Sequence, residues 1–223
     1  MGEASDARSG GVVIDVWSDV MCPFCYLGDA ILERALARFE HRDRVEIRYH
    51  SFLLMPDLAA DTATDLTTLL IEKRGYPPEQ IEPANAQIAE RGRAVGLDYR
   101  FDRAIATSTR RAHELSHLAA GHGVQHEVIR LLFRAYFTDG RNVSDLDVLA
   151  DIAVEAGLDR SAALAALTSG EYTAAVEADI AAARTLGITG VPFFVFNNTF
   201  AVSGAQPEEV FAQALERSVL DAA

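Results

Sequence analysis

The sequence is short of cysteine, of long apolar runs and of basic residues. It has two cysteines in 223 residues, too few for a secreted scaffold held together by disulfides. No window is apolar over the ~18 residues that a membrane-spanning helix needs. Lysine and arginine total 20 against 33 aspartates and glutamates, giving a net charge of −13. Such an acidic chain favours neither nucleic acid nor an anionic membrane surface as a partner.

The first ten residues also lack a feature, the apolar segment of a signal peptide. Residues 1–10 are small and polar, so we expect a disordered tail rather than an export signal. The expected location is therefore the cytoplasm. In that compartment a closely spaced cysteine pair is more often catalytic or metal-binding than structural.

The two cysteines form one motif, Cys22-Pro23-Phe24-Cys25, named the CPFC motif below. It follows an apolar run and precedes an amphipathic stretch, which predicts a thiol pair at the start of a helix. Unpaired backbone N–H groups and the helix dipole favour a thiolate there. Pro23 suits a first helical turn because its φ is fixed and it has no N–H to pair. The motif indicates thiol–disulfide exchange.

Two structural interpretations compete with a redox role for the pair, namely a zinc site and inert buried thiols. A zinc site needs about four ligands, and the chain has no further cysteine. Four histidines are closely spaced, but no carboxylate pattern accompanies them, and we interpret them as surface or capping residues: His113, His117, His122 and His126. We predict no metal site.

The two ends of the chain predict a small α/β domain. Residues 11–18 are rich in β-branched side chains and predict a buried strand. Pro23 to Phe39 has helical periodicity, and Val45 to His50 alternates between apolar and polar residues like a second strand. This βαβ order makes the two strands parallel. Near the other end, Phe193 to Asn197 and Thr199 to Ser203 predict a hairpin. A final helix is expected from Gln206 to Leu220.

The middle of the chain predicts helices only. Seven segments have helical periodicity and are separated by Gly, Pro or Asn: 65–73, 78–95, 104–121, 124–138, 144–156, 160–169 and 171–186. The simplest organisation is an α/β domain from residues 11–60 and 187–223, interrupted by a helical domain over 61–186. A CxxC pair beside a βαβ unit is typical of a thioredoxin-like redox protein.

Several segments carry a closer resemblance. They are residues 18–28 (SDVMCPFCYLG), 51–54 (SFLL), 132–137 (LFRAYF), 187–194 (GITGVPFF) and 202–207 (VSGAQP). In these segments the chain resembles the DsbA-like thioredoxin-fold oxidoreductases and, among them, the FrnE-like branch. The resemblance runs from about Val12 to Leu220, and the first and fourth segments are its specific part. It implies a thioredoxin-like fold, β-α-β … β-β-α, interrupted by a large all-α insertion.

The resemblance also implies roles for individual residues. Cys22 would be the attacking nucleophile, and Cys25 would resolve the mixed disulfide. Pro192 stands where thioredoxin-fold proteins carry a cis-proline facing the cysteine pair, and with Val191 it would form a ledge for the substrate cysteine. Periplasmic oxidants of the family often have histidine between the cysteines, where this chain has Phe24. Because phenylalanine cannot stabilise a thiolate by charge, we expect a less oxidising pair.

Further residues are expected to contact substrate. Pro23 and Phe24 lie inside the motif, and Trp17 ends the first strand beside it. Ser108, Thr109 and His113 are placed on a helix that matches a segment facing the active site in these relatives. The helical insertion is expected to govern substrate access or dimerisation, so a homodimer is an open alternative.

Three functions remain distinct at this stage. The leading one is a dithiol–disulfide oxidoreductase acting on protein or small-molecule disulfides, with glutathione as a candidate co-substrate and no cofactor beyond the Cys22–Cys25 pair. The second is a glutathione-dependent isomerase or transferase, because 2-hydroxychromene-2-carboxylate isomerase and the kappa-class glutathione transferases are related in scaffold. Those generally carry serine in place of Cys22, and a resolving Cys25 has no use in that chemistry. The third is a chaperone-like binding module.

Overall fold

A computed structural model of the protein describes residues 11–59 and 62–221. In chain order the elements are β1 (Val12–Ser18), α1 (Pro23–Ala37), β2 (Val45–Ser51), β3 (Thr64–Asp65), α2 (Leu66–Arg74), α3 (Pro78–Arg93), β4 (Ile105–Ala106), α4 (Arg110–Gly121), α5 (Gln125–Phe137), α6 (Leu146–Glu155), α7 (Arg160–Ser169), α8 (Thr173–Thr185), β5 (Phe193–Phe196), β6 (Phe200–Ser203) and α9 (Glu208–Asp221). The tail predicted over residues 1–10 lies outside the described residues. No helix within the described ranges is long and apolar enough to cross a bilayer.

A four-stranded sheet joins the two ends of the chain in the order β2-β1-β5-β6. β1 and β2 are parallel, with Val12 opposite Val45, which confirms the predicted βαβ unit. β5 runs antiparallel to β1, and β6 runs antiparallel to β5. Asn197 and Asn198 turn the hairpin with left-handed φ values of 48° and 54°, a conformation that asparagine tolerates better than most residues. The predicted thioredoxin-like fold with a large helical insertion is confirmed.

One predicted helix is too long at its N-terminus. The sequence predicts helix from Ala104, whereas α4 begins at Arg110. Residues 105–106 form β4 instead and pair antiparallel with 64–65 in β3. The Ala104 carbonyl also accepts a hydrogen bond from the Leu66 amide, at 3.1 Å. These contacts between distant segments outweigh a local helical pattern, so Ser108 and Thr109 precede α4 rather than lie within it.

The helical segment, residues 62–186, covers the free edge of β2. Gln125 accepts from the Tyr49 amide at 3.0 Å and donates to the Tyr49 carbonyl at 2.9 Å. Two residues on, the Ser51 amide donates to the Asp179 carboxylate at 2.7 Å. Edge strands expose unpaired backbone groups that invite aggregation, and these side chains from α5 and α8 pair the groups of Tyr49 and Ser51 at the C-terminal end of β2.

The hydrophobic core is continuous between the helical segment and the thioredoxin-like segments, residues 11–59 and 187–221. One cluster of buried side chains contains Leu27 of α1, Leu115 of α4, Phe133 of α5 and Phe211 of α9. A smaller cluster lies around Trp17 on β1 and contains Ala183 and Ile188. The packing therefore passes across the predicted domain boundaries, whose positions remain a prediction.

Candidate active site

The CPFC motif lies at the junction of β1 and α1. Cys22 is the N-cap of α1 and Pro23 occupies the first turn. The Cys22 carbonyl accepts hydrogen bonds from the Cys25 amide at 3.0 Å and the Tyr26 amide at 3.4 Å. The helix thus starts at the first cysteine, where the first N–H groups of a helix have no intrahelical partner.

Both cysteines are buried free thiols, with 4% of Cys22 and 2% of Cys25 exposed. Burial raises the pKa of Cys25 well above its usual range, and the hydrogen bond and charge of Cys22 raise it further. The Ser18 hydroxyl and the Asp19 backbone act in the opposite direction. Phe24, between the cysteines, is 41% exposed. The motif therefore presents an apolar ring to solvent and keeps Cys25 as a buried, protonated thiol.

The loop before β5 faces this motif. Its Val191–Pro192 peptide bond is cis, and the Cys22 thiol donates to the Val191 carbonyl at 3.5 Å. Gly28, one turn beyond Cys25, allows the close approach, because a Cβ there would lie 3.1 Å from Pro192 Cγ. A glycine inside α1 lowers helix propensity, and here the space it leaves is filled by the facing loop.

Asp19 is a fully buried carboxylate that connects three segments near Cys22. One oxygen accepts from the Thr109 hydroxyl at 2.8 Å and lies 3.3 Å from His113 Nε2. The other accepts from the Leu54 amide at 2.7 Å. The Asp19 backbone carbonyl accepts from the Cys22 amide at 3.0 Å. A buried charge needs such partners to be tolerated, and these partners fix the turn that precedes the motif.

Tyr99 reaches the motif from the helical segment. Its hydroxyl donates to the Pro23 carbonyl at 2.6 Å. The ring contacts Tyr26, Phe101 and Phe137 at centroid distances of 5.4, 5.2 and 5.4 Å. Tyr99 was not among the predicted site residues, because it lies in an irregular stretch between helices and no local pattern marks it.

A second polar cluster lies on the opposite face of the sheet. His50 stands between two carboxylates, with Nε2 2.8 Å from Asp15 and Nδ1 2.9 Å from Asp179. Burial lowers the pKa of His50, but the hydrogen bonds and charges of the two carboxylates outweigh it and raise the pKa to about 9. His117 Nε2 lies 3.0 Å from the second Asp179 oxygen. The ring of Trp17 stacks on His50 with centroids 4.5 Å apart.

The structure thus places the predicted site residues in four locations. The cysteines, Pro23, Phe24, Val191 and Pro192 meet at one edge of the sheet. Thr109 and His113 lie behind that edge and contact Asp19, while Ser108 lines a separate surface cavity beside Arg110 and Leu167. Trp17 is buried on the other face, where its indole N–H donates to the Asp179 carbonyl at 3.3 Å. The substrate contacts predicted for Trp17 and His113 remain predictions. The interpretation of His113 as a surface or capping residue is wrong, because its side chain is buried within α4 against Asp19.

Comparison with known proteins agrees with this architecture. Residues 13–216 match the sequence model of the DsbA-like thioredoxin domain family, so the chain belongs to that family. It is 40% identical to a probable DsbA oxidoreductase from Streptomyces coelicolor, with a TM-score of 0.87 over 93% of this chain and 89% of that one. These two matches define the class of protein, a DsbA-like thioredoxin-fold oxidoreductase.

Two more distant structures share the fold. A 2-hydroxychromene-2-carboxylate isomerase is 17% identical, with a TM-score of 0.70 over 92% of this chain and 95% of that one. The cytosolic disulfide reductase DsbM from Pseudomonas aeruginosa is 18% identical, with a TM-score of 0.66 over 93% of this chain and 98% of that one. A structure of DsbM with GSH has also been solved. At this identity the likeness concerns the fold alone.

Proposed function

We propose that this protein is a thiol–disulfide oxidoreductase in which Cys22 attacks and Cys25 resolves. The observation that carries the proposal is the position of Cys22, which caps α1 and faces the Val191 carbonyl at 3.5 Å. A thiolate at a helix N-terminus is stabilised. The backbone of Val191 offers an extended edge on which a substrate cysteine can lie beside it.

The exchange proceeds in two displacements. The Cys22 thiolate attacks one sulfur of a substrate disulfide, so that a mixed disulfide forms and the other substrate sulfur leaves as a thiolate that takes up a proton. Cys25 then loses its proton and attacks Cys22, forming the Cys22–Cys25 disulfide and releasing the second substrate thiol. The substrate disulfide is reduced by two electrons and the protein dithiol is oxidised by two. The same steps reversed would oxidise a substrate dithiol.

The burial of Cys25 supports its role as the resolving group. Because its pKa is raised by burial and by Cys22, the thiol stays protonated until Cys22 is bound in a mixed disulfide. Loss of the thiolate at Cys22 removes the like charge that opposes ionisation of Cys25. This change in charge suits Cys25 to the second displacement.

We further propose a cytoplasmic protein whose partners are protein disulfides or small thiols such as glutathione. The CPFC motif contains no histidine, which supports a Cys22–Cys25 disulfide that is a weaker oxidant than that of the periplasmic enzymes. A dithiol of this kind is suited to reducing substrate disulfides. Phe24, 41% exposed beside the buried thiols, supports contact with apolar groups of a substrate. Membership of the FrnE-like branch and a homodimeric state remain part of this proposal.

Reduction of insulin disulfides tests the proposal. The wild-type protein, supplied with a thiol reductant, is expected to precipitate insulin B chain faster than reductant alone, and Cys22→Ser is expected to abolish the acceleration. Cys25→Ser should accumulate a mixed disulfide that a mass shift on Cys22 reports. Full activity in Cys22→Ser would disprove the role of that residue.

The shared fold of 2-hydroxychromene-2-carboxylate isomerase supports a second candidate, a glutathione-dependent isomerase. In that case Cys25 would be dispensable, since no protein disulfide forms. Isomerisation of 2-hydroxychromene-2-carboxylate with added glutathione, retained in Cys25→Ser, would favour this second function. Loss of insulin reduction in the same variant would separate the two chemistries.

A further inference from the structure

The redox motif is touched by a tyrosine that belongs to the helical segment. The Tyr99 hydroxyl donates to the Pro23 carbonyl at 2.6 Å. This carbonyl is the N1 carbonyl of α1, and such a group already accepts a bond from the amide four residues on. The Tyr99 hydroxyl is therefore a second donor on a carbonyl that already has one, and it occupies the remaining lone pair.

The surrounding packing holds the hydroxyl in place. Tyr99 is buried, and its ring is stacked on Phe101 with an interplanar angle of 9°. A Cβ on Gly92 would come within 2.5 Å of this ring, so the absence of a side chain at position 92 makes the room. The Arg100 amide donates to the Phe137 carbonyl at 2.7 Å and ties the segment to the end of α5.

The peptide unit that Tyr99 contacts also carries the amide of Phe24. Phe24 is the second residue of α1, and an N-cap side chain can accept hydrogen bonds from the amides of the second or third residue. The Cys22 thiol makes no such bond in this structure and donates to the Val191 carbonyl instead, so the bond becomes available to Cys22 as a thiolate. Pro23 has no N–H, and the Cys25 amide already donates to the Cys22 carbonyl at 3.0 Å. The Phe24 amide is thus the first donor available to a Cys22 thiolate.

Hydrogen bonds in a chain polarise one another in a low-dielectric interior. A donor on the Pro23 carbonyl draws electron density from the Pro23–Phe24 peptide and makes the Phe24 N–H a stronger donor. We propose that Tyr99 is a positioning residue of the redox pair, whose hydroxyl strengthens the Phe24 amide and so stabilises the reduced protein. The inference rests on the proposed exchange at Cys22. On this inference the helical segment, through Tyr99, sets part of the reduction potential of the Cys22–Cys25 pair.

Equilibration with glutathione buffers tests the proposal on the full chain. Tyr99→Phe keeps the ring and removes the hydroxyl, so the equilibrium constant for reduction of the protein disulfide by glutathione should fall by about threefold. 3-Fluorotyrosine at position 99 keeps the shape and is a stronger donor, so it should shift the constant in the opposite direction. Burial raises the pKa of Tyr99 well above its usual range, which keeps the fluorinated ring neutral.

Tyr136→Phe is the matched control. Tyr136 is a buried tyrosine that contacts the ring of Phe137, as Tyr99 does, but its hydroxyl has no hydrogen-bond partner among the described residues. The Tyr136→Phe variant should leave the equilibrium constant for reduction by glutathione unchanged. Opposite shifts from the two substitutions at position 99 support the proposal, because loosened packing cannot change sign between them.

Two results overturn the inference. One is an unchanged equilibrium constant in folded Tyr99→Phe; the other is a shift of the same sign in both variants at position 99. If Tyr99→Phe does not fold, the fluorinated protein decides alone, and an unchanged constant there overturns the inference. Failure of the proposed function is distinguishable, because the wild-type protein would then form no reversible Cys22–Cys25 disulfide in any glutathione buffer.

Discussion

The thioredoxin-like segments and the helical segment contribute different things to the candidate active site. The atoms assigned to the exchange, the two sulfurs and the Val191 carbonyl, come from the thioredoxin-like segments. Groups that hold these atoms come from the helical segment, with Tyr99 on the Pro23 carbonyl and Thr109 on the Asp19 carboxylate. The two sulfurs are therefore close in sequence, whereas the Val191 carbonyl and the supporting groups of the helical segment are distant from them in sequence.

The two regions bury charge jointly where they meet. The thioredoxin-like segments supply Asp15 on β1 and His50 on β2. The α8 helix supplies Asp179, which binds both His50 and the Ser51 amide. Neither region satisfies these groups alone. The interface between the regions is thus polar and specific beside the sheet, while it is apolar around Phe133. Substitutions on each side of this interface can sharpen the comparison.

The largest effect is expected for Asp19→Ala. The change leaves the Leu54 amide, the Thr109 hydroxyl and His113 without their shared acceptor in a buried site. We expect a loss of about 3 kcal/mol in the free energy of unfolding, together with slower insulin reduction because the turn before Cys22 loses its anchor. Denaturant titration and the insulin assay measure the two effects.

Asp102→Ala is the matched control for Asp19. Asp102 also accepts from another residue, Arg100 at 3.3 Å, but it is exposed. Exposed ion pairs contribute little to stability, so the control should be close to wild type in both measurements. Equal losses in the two variants would mean that Asp19 does not join the two regions as described.

A smaller effect, dependent on pH, is expected for His50→Gln. Because the pKa of His50 is raised from 6.5 to about 9, protonation stabilises the folded state. That stabilisation is complete below pH 6.5 and is lost as the pH rises through about 9. The unfolding free energy of the wild-type protein should therefore exceed that of the variant most strongly below pH 6.5. This difference between the two proteins should narrow by on the order of 2 kcal/mol as the pH rises through about 9.

Denaturant titrations of both proteins at several pH values measure this difference. The groups facing His50 are Asp15, Asp179 and the Trp17 ring, and His117 contacts the same Asp179 carboxylate. Subtracting the unfolding free energy of the variant from that of the wild-type protein at each pH removes the contribution of titrating groups that both proteins share. A difference independent of pH would contradict a protonated His50 between the two regions.

The smallest effect is expected for Gly28→Ala, which acts within the thioredoxin-like segments alone. The new methyl group would lie 3.1 Å from Pro192 Cγ and 3.2 Å from Phe194 Cζ, closer than ordinary packing allows. The crowding should lower the free energy of unfolding by about 1 kcal/mol, after the gain in helix propensity is taken into account. It should also slow thiol–disulfide exchange, because it moves Cys22 away from Val191. Thermal unfolding and insulin reduction measure both.

Gly121→Ala is the matched control for Gly28. Gly121 ends α4, and a Cβ there would meet no atom within 4 Å. The control should leave insulin reduction unchanged, and its unfolding temperature should not fall. A decrease in activity as large as that of Gly28→Ala would show that the close approach at position 28 is unimportant.

Much of the fold was predictable because its signals are local. The apolar run of β1, the periodicity of α1 and the Asn197-Asn198 turn each gave an element close to its observed bounds. The N-terminus of α4 was wrong because residues 105–106 pair with a strand about forty residues earlier. Local periodicity contains no information about such a partner.

The candidate site was predictable only in its reacting part. Cys22 and Cys25 are marked by their spacing, and Pro192 by its place before a strand. The Asp19 side chain turns inward to Thr109 and His113, an orientation that no local pattern in the sequence fixes. Tyr99 could not have been found, because its hydroxyl meets Pro23 through a contact 76 residues apart in the chain.

The sequence by itself determined that a thiol pair begins a helix after a parallel strand, since cysteine spacing, Pro23 and hydrophobic periodicity act over a few residues. Only the tertiary structure decided which groups of the helical segment support that pair. Tyr99 reaches Pro23 and Thr109 reaches Asp19, and a buried polar group takes whichever partner the packing brings near it. That choice depends on the whole fold, because burial, and not sequence distance, determines which hydrogen bonds must form.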